Sequence, residues 1–212
     1  MKATTRLPSD TSGRAGASRD GTLQHLGTSA IYTVISVVFL GLVYPLVMTG
    51  IAQLIFPAQA AGSYVYDRSG KIVGSDIIGQ LWTKPQYFQG RPSAAGKNGY
   101  DPTNTGGTNL GPTSKKLIDS TRAAIVALRK ANPNAAGPVP MDLVTSSGSG
   151  IDPDISPEGA YYQAPRVAQA RHADAAVIRA LIARHIHPRE LGFLGEPHVN
   201  VLELNLALDA QR

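Results

Sequence analysis

The chain has 212 residues, with 20 Lys+Arg against 15 Asp+Glu, no Cys and a single Trp. That length suits one ordinary domain plus something more, and the missing cysteine excludes a disulfide framework, thiolate-bound zinc, a thiol nucleophile and a lipidated cysteine anchor. The net charge is only +5 and the basic residues are scattered rather than gathered into a stripe, which argues against a nucleic-acid partner.

Residues 1–27 are rich in Ser, Thr, Gly, Asp and Arg without apolar periodicity, the composition of a disordered tail. No charge then occurs from Thr28 to Phe56. This run of about 29 residues exceeds the roughly 20 that cross a ~30 Å hydrocarbon core. Tyr32 suits an interfacial aromatic and Pro57 a helix stop, while Pro45 removes one intrahelical hydrogen bond and predicts a kink. A buried core helix is rarely this long or this apolar all round. Ala58-Gln59-Ala60 forms an A-x-A pattern, but a signal peptide's apolar region is about 7–15 residues, so an uncleaved span over 28–57 is favoured. Lys2, Arg6, Arg14 and Arg19 precede the span, and only Arg68 and Lys71 follow it closely. This bias puts the N-terminus in the cytoplasm and residues 58–212 outside the cytoplasmic membrane.

Beyond the span, Ser63 to Tyr66 and Lys71 to Ile78 read as strands joined by a turn at Asp67, Arg68, Ser69 and Gly70. A Gly/Pro/Asn-rich stretch from Tyr87 to Pro112 has no ladder of its own, so packing or a partner must hold it. From Thr113 to Ala131 the pattern is helical, with Leu117, Thr121, Ile125 and Leu128 on one stripe and Asn132-Pro133 ending it. Ser156 as N-cap and Pro157 at the first helical position start a short helix. A longer helix runs from about Asp174 to His185, with Val177, Ile178, Leu181 and Ile182 inward. Val199 and Val201 alternate with Asn200 as a strand, and leucines 202, 204, 206 and 208 continue as a strand or helical tail. The sum is a single N-terminal transmembrane helix followed by one compact extracytoplasmic mixed α+β domain.

Motifs for chemistry are weak. Gly70-Lys71 and Gly96-Lys97 lack the spacing of a phosphate-binding P-loop. Ser147 to Gly150 does not match the G-x-S-x-G elbow and reads as a flexible turn. His185, His187 and Glu190 would point to different sides, and Pro188 breaks the frame, so a metal is disfavoured. Asp152, Asp154 and Glu158 offer hard oxygens to a cation, against the plainer reading of a turn with capping aspartates. Gly106, Gly107 and Gly111 lack a tight anion-binding motif, and loop packing or subunit docking suits them better.

Longer stretches carry more. YFQGRPSAAG (Tyr87 to Gly96), TGGTNLGPTS (Thr105 to Ser114), VTSSGSGIDPDISPEGAYYQAPRVAQAR (Val144 to Arg171) and GFLGEPHVNVLELNLALD (Gly192 to Asp209) together resemble the KdpC family. This is the C subunit of the bacterial potassium-transporting Kdp P-type ATPase. Thr105 and Thr108 stand where the family often has serine, and the N-terminal tail is long.

The resemblance implies a non-catalytic accessory subunit with no catalytic residues and no firmly bound cofactor of its own. Its partners would be a channel-like A subunit that carries potassium, an ATPase B subunit, a small F subunit where present, and membrane lipid. It also implies a catalytic chaperone that raises the ATPase subunit's affinity for ATP, with ATP held in a ternary complex and Gln163 as a nucleotide contact. A domain outside the membrane conflicts with that contact. Docking over the potassium entrance is the easier role, through Arg91, Pro92, Asn109, Gly111 and Pro112 on the first loop. Gly148, Gly150, Asp152, Gln163 and Arg166 complete the docking set on the second segment. Two rivals are a membrane-anchored periplasmic hydrolase using Ser149, a histidine and Asp152, and a purely structural anchor.

Overall fold

A computed structural model describes residues 19–211, so the expected tail over 1–18 lies outside the described residues. The chain divides into two units, Met1–Ala60 and Ala61–Arg212. In the first, α1 (Arg19–Val38), a π-helical turn (Phe39–Val43) and α2 (Tyr44–Ile55) follow without a break. Helix thus begins nine residues ahead of the charge-free run, over residues expected in the tail (28 − 19). Gly21–Ile55 is the one helix among the described residues that is long and apolar enough to cross a membrane, with a mean hydropathy of 2.3 and none of its most apolar window buried. Pro45 lacks an N–H, and its ring would press on the carbonyl four residues back, at Gly41. The π turn lies at that point, widening the helix where the proline needs room. Phe56 leaves helical geometry, and Pro57 opens the four-residue α3 (Pro57–Ala60).

The second unit begins with an antiparallel hairpin, β1 (Tyr64–Tyr66) and β2 (Ile72–Ser75), with a bulge after Val65. Asp67 holds its turn by accepting from the amides of Ser69 and Lys71. Helix α4 (Lys115–Ala131) starts at Ser114, whose hydroxyl caps Leu117, and ends on Arg129 and Lys130, which complement the helix dipole. Its Leu117, Thr121, Ile125 and Leu128 stripe is half-buried, as the spacing predicts.

The core lies where α5 (Pro157–Arg171), α6 (Ala175–Arg184) and α7 (Val201–Ala210) meet a three-stranded antiparallel sheet. The sheet runs in the order β3 (Asp154–Ile155), β5 (His198–Asn200), β4 (Ile186–His187). Ile155, Val167, Ile178, Ile182, Val199, Leu204 and Leu208 fill it, together with Phe88 from the long loop.

Three sequence expectations change here. The helix after Ser156 is 15 residues long rather than short, and it carries Pro165 inside it. Val177 is 47% exposed, whereas Ile178, Leu181 and Ile182 are buried. Val201 opens α7 instead of extending the strand, because the Asn200 side chain accepts from the amides of Leu202 and Glu203 and caps a helix there.

Candidate docking site

The loop from Tyr87 to Pro112 contains no regular element, so its backbone polar groups need other partners. Side chains of two helices supply them. Asn205 of α7, 0% exposed, accepts from the Phe88 amide at 2.8 Å and donates to the Phe88 carbonyl at 3.0 Å. Gln163 of α5, also 0% exposed, accepts from the Gln89 amide at 2.9 Å and donates to the Gln89 carbonyl at 3.0 Å. Each side-chain amide copies the paired N–H and C=O of an antiparallel strand, which only Asn and Gln can do on one planar group.

Two arginines of α5 extend the clamp. Arg166, 8% exposed, donates through Nε to Asn132 (2.9 Å), through Nη1 to the carbonyls of Pro85 and Tyr87 (3.0 Å for Tyr87), and through Nη2 to Gln163 Oε1 (2.6 Å). These partners are neutral oxygens. Burial pushes its guanidinium down to about 10, so it stays charged at neutral pH. Arg171 donates to the Gln86 carbonyl at 2.8 Å and to Asp209 at 2.8 Å, and lies 5.0 Å over the Tyr87 ring. Every residue from Pro85 to Gln89 is therefore held by a side chain through its backbone.

Gln163 and Arg166 are thus buried inside the domain rather than exposed on its surface. The Gln163 amide has no free valence: its oxygen accepts from Gln89 and Arg166, and its nitrogen donates to Gln89 and, at 3.3 Å, to Gly159. A nucleotide would have to displace one of these bonds.

Of the remaining candidates, Arg91, Gly150 and Asp152 meet where the two loops join. Arg91 pairs with Asp152 at 2.9 Å. Ser93 Oγ donates to the Gly150 carbonyl at 2.5 Å and accepts from the Tyr100 amide at 2.7 Å, while the Gly106 amide donates to Ser149 O at 2.8 Å. The Tyr100 hydroxyl donates to the Arg91 carbonyl at 2.6 Å, and burial pushes this phenol up to about 12, which keeps it a donor. Gly150 is buried at this junction with φ +71°. Pro92, Asn109, Gly111, Pro112 and Gly148 are exposed.

The candidate chemistry does not assemble. Ser147 and Ser149 hydroxyls accept from the amides of Gly150 and Ile151 and so brace their own turn. Asp152 is taken by Arg91, and His185 by the Leu181 carbonyl. No group of three or more His, Asp or Glu able to hold a metal occurs among the described residues. Asp152 accepts from the Asp154 amide at 3.1 Å and Asp154 lies 4.0 Å from His198, whereas Glu158 sits exposed in the first turn of α5. His187 meets Glu203 at 3.1 Å and stacks on His198 at 5.2 Å across the β4–β5 pair.

Burial raises the Asp154 carboxyl above its ordinary value, against a smaller opposing pull from His198. The folded state then binds a proton more tightly than the unfolded chain, so ionised Asp154 opposes folding above that raised value. Asp154→Asn is expected to raise the melting temperature at pH 7. The gain should shrink as the pH falls through the raised value toward 3.8 and vanish below it, which melts across a pH series measure directly.

Sequence reasoning missed Asn205, Arg171, Ser93 and Tyr100. Only Asn205 carried a usable signal, a polar residue set among leucines 202, 204, 206 and 208 that must find a buried partner.

Comparison with known proteins returns one family. The family model described as K+-transporting ATPase, c chain (KdpC), matches residues 26–210. The potassium-transporting ATPase KdpC subunit of Acidobacterium capsulatum is 54% identical over 187 residues, which covers 88% of this chain and 98% of that protein. The like-named subunit of Gemmatimonas aurantiaca is 53% identical over 192 residues, covering 89% and 94%. That of Caulobacter vibrioides is 51% identical over 189 residues, again covering 89% and 94%.

Proposed function

The chain belongs to the KdpC family, the c chain of K+-transporting ATPases, and from that membership we propose that it is the non-catalytic accessory subunit of an ATP-driven potassium-uptake complex. Helix 21–55 anchors it in the cytoplasmic membrane with the N-terminus inside. The domain after it lies outside and docks over the potassium entrance of a channel-like subunit, beside an ATPase subunit that carries out phosphoryl transfer. The basic residues ahead of the span favour this orientation.

The observation that carries the docking reading is the clamp on Pro85 to Gln89. It fixes the root of the long loop just ahead of exposed Pro92, and the Gly106 amide on the Ser149 carbonyl holds a later point of the same loop. A preordered surface loses less conformational entropy on binding. A subunit that binds one pump conformation better shifts its population, and about 1.4 kcal/mol of preference changes an apparent ATP affinity tenfold. The saturated Gln163 amide favours this indirect route over contact with ATP.

The test is potassium-stimulated ATPase activity of the detergent-purified complex, assembled with and without this chain and titrated with ATP. Omission is expected to raise the apparent KM for ATP or abolish activity while the ATPase subunit remains folded. Identical kinetics in both preparations would overturn the reading.

A further inference from the structure

The loop between β4 and β5 turns its large apolar side chains to solvent. Leu191 is 82% exposed, Phe193 69% and Leu194 48%. The loop is built rather than slack: Glu190 and Leu194 exchange both backbone hydrogen bonds at 2.9 Å, and Arg189 pairs with Glu196 at 2.5 Å. Leu191 and Gly192 at its tip have φ of +51° and +82°. Glycine takes that geometry freely, whereas leucine is strained there and, exposed as it is, gains little packing inside the fold in return. A group of exposed apolar side chains held in fixed geometry marks a contact surface.

The root of this loop lies beside the point where the chain enters the domain. The Gly62 carbonyl accepts from the Ser75 hydroxyl at 2.8 Å, and the Ser63 carbonyl accepts from the Asp76 amide at 3.1 Å. Asp76 and Ile77 in turn line one cavity of about 480 Å³ with His187 and Glu190. Ile77 is itself 61% exposed. Seven residues of chain lead from Ile55, the last of the long apolar helix, to Gly62 (62 − 55). A chain covers at most about 3.6 Å per residue, so the entry point stays within roughly 25 Å of the end of that helix. Apolar side chains next to so short a tether have a bilayer surface within reach.

We propose that Leu191, Phe193 and Leu194 insert into the boundary between lipid headgroups and acyl chains, as a second membrane contact besides the span. Four carboxylates, Asp76, Asp154, Glu190 and Glu203, line the cavity at the root of the loop, which disfavours anionic headgroups. The insertion is therefore apolar and needs no lipid charge. It rests on helix 21–55 crossing the membrane and not on docking over the potassium entrance.

Because the chain has no cysteine, one introduced cysteine carries a dye at a single place. Full-length protein with a polarity-sensitive dye on Phe193→Cys is reconstituted into phosphatidylcholine vesicles. Doxyl groups near the top of the acyl chains are expected to quench this dye about threefold more than the same dye on exposed Gly148→Cys, and aqueous iodide to quench it less. Adding phosphatidylglycerol should change neither result. Leu191→Asn puts a residue that tolerates positive φ at the tip, and is expected to lower the doxyl quenching at position 193 about twofold while melting no lower than the parent. Recovery of the protein with the vesicles after carbonate washing checks the span separately, and loss of the protein there overturns the span and the proposal with it. Equal doxyl quenching at the two positions, or quenching that needs phosphatidylglycerol, overturns the insertion alone. Protection from iodide without doxyl quenching assigns the tip to a protein surface and overturns it as well.

Discussion

Asn205→Leu is expected to destabilise the folded domain by roughly 2–6 kcal/mol, because it strips both partners from a backbone pair that cannot reach water. Leucine keeps the branching at Cγ but is larger, so no cavity opens, and any overpacking adds to the loss of the hydrogen bonds. Phe88 is fully buried, and its N–H and C=O are both satisfied by the Asn205 amide. Each orphaned group costs about 1–3 kcal/mol. At about 2–4 °C per kcal/mol for a chain of this size, a loss in the middle of that range lowers the melting temperature by roughly 10 °C. Thermal melting of the detergent-solubilised full chain measures it, and a drop below about 3 °C would sink the clamp as a stabilising device. Gln163→Glu is the graded companion. It keeps the acceptor for Gln89 and Arg166 but loses the donors to the Gln89 and Gly159 carbonyls. Its effect should be the same with and without ATP, which a nucleotide-contact role would not allow.

The parts of the fold written in local pattern were legible. The span declared itself through a charge-free run, α4 through its stripe at helical spacing, and α6 through Ile178, Leu181 and Ile182 at helical spacing. Helix α5 hides its length because it carries Pro165 and buries Gly159, Ala160, Tyr162, Gln163, Ala164, Arg166 and Val167 on more than one face. A helix wrapped on several sides shows no single apolar stripe to count. The clamp was illegible for a different reason. Asn205 and Phe88 lie 117 residues apart, and Gln163 and Gln89 lie 74 apart, so no window along the chain contains both partners. YFQGRP and YYQAPRVAQAR stand far apart in the chain, and the structure makes them the two halves of one hydrogen-bonded assembly. Residues singled out for docking therefore divide by burial: Pro92, Asn109, Gly111 and Pro112 are available to a partner, while Gln163 and Arg166 hold the scaffold behind them.

Gly150→Ala is expected to cost about 2–4 kcal/mol and to separate the two loops of the proposed docking surface. At φ +71° an L side chain is strained whatever the space, and here there is none. An added Cβ would lie 2.7 Å from the Gly106 carbonyl oxygen and 2.8 Å from both the amide nitrogen and Cβ of Ala95. Two of those atoms are backbone, so relief requires the 95–106 segment to move away. That movement breaks the bonds that join the loops, Ser93 to the Gly150 carbonyl and Gly106 to Ser149. The neighbouring glycine supplies the control: Gly148 is exposed, and a Cβ there would meet nothing within 4 Å. Gly148→Ala should melt like the parent, whereas Gly150→Ala should melt lower and co-purify less of the channel-like and ATPase subunits. Equal recovery of those subunits by both variants would show that the junction does not shape the proposed docking surface, and the exposed loop residues would lose their claim to that role.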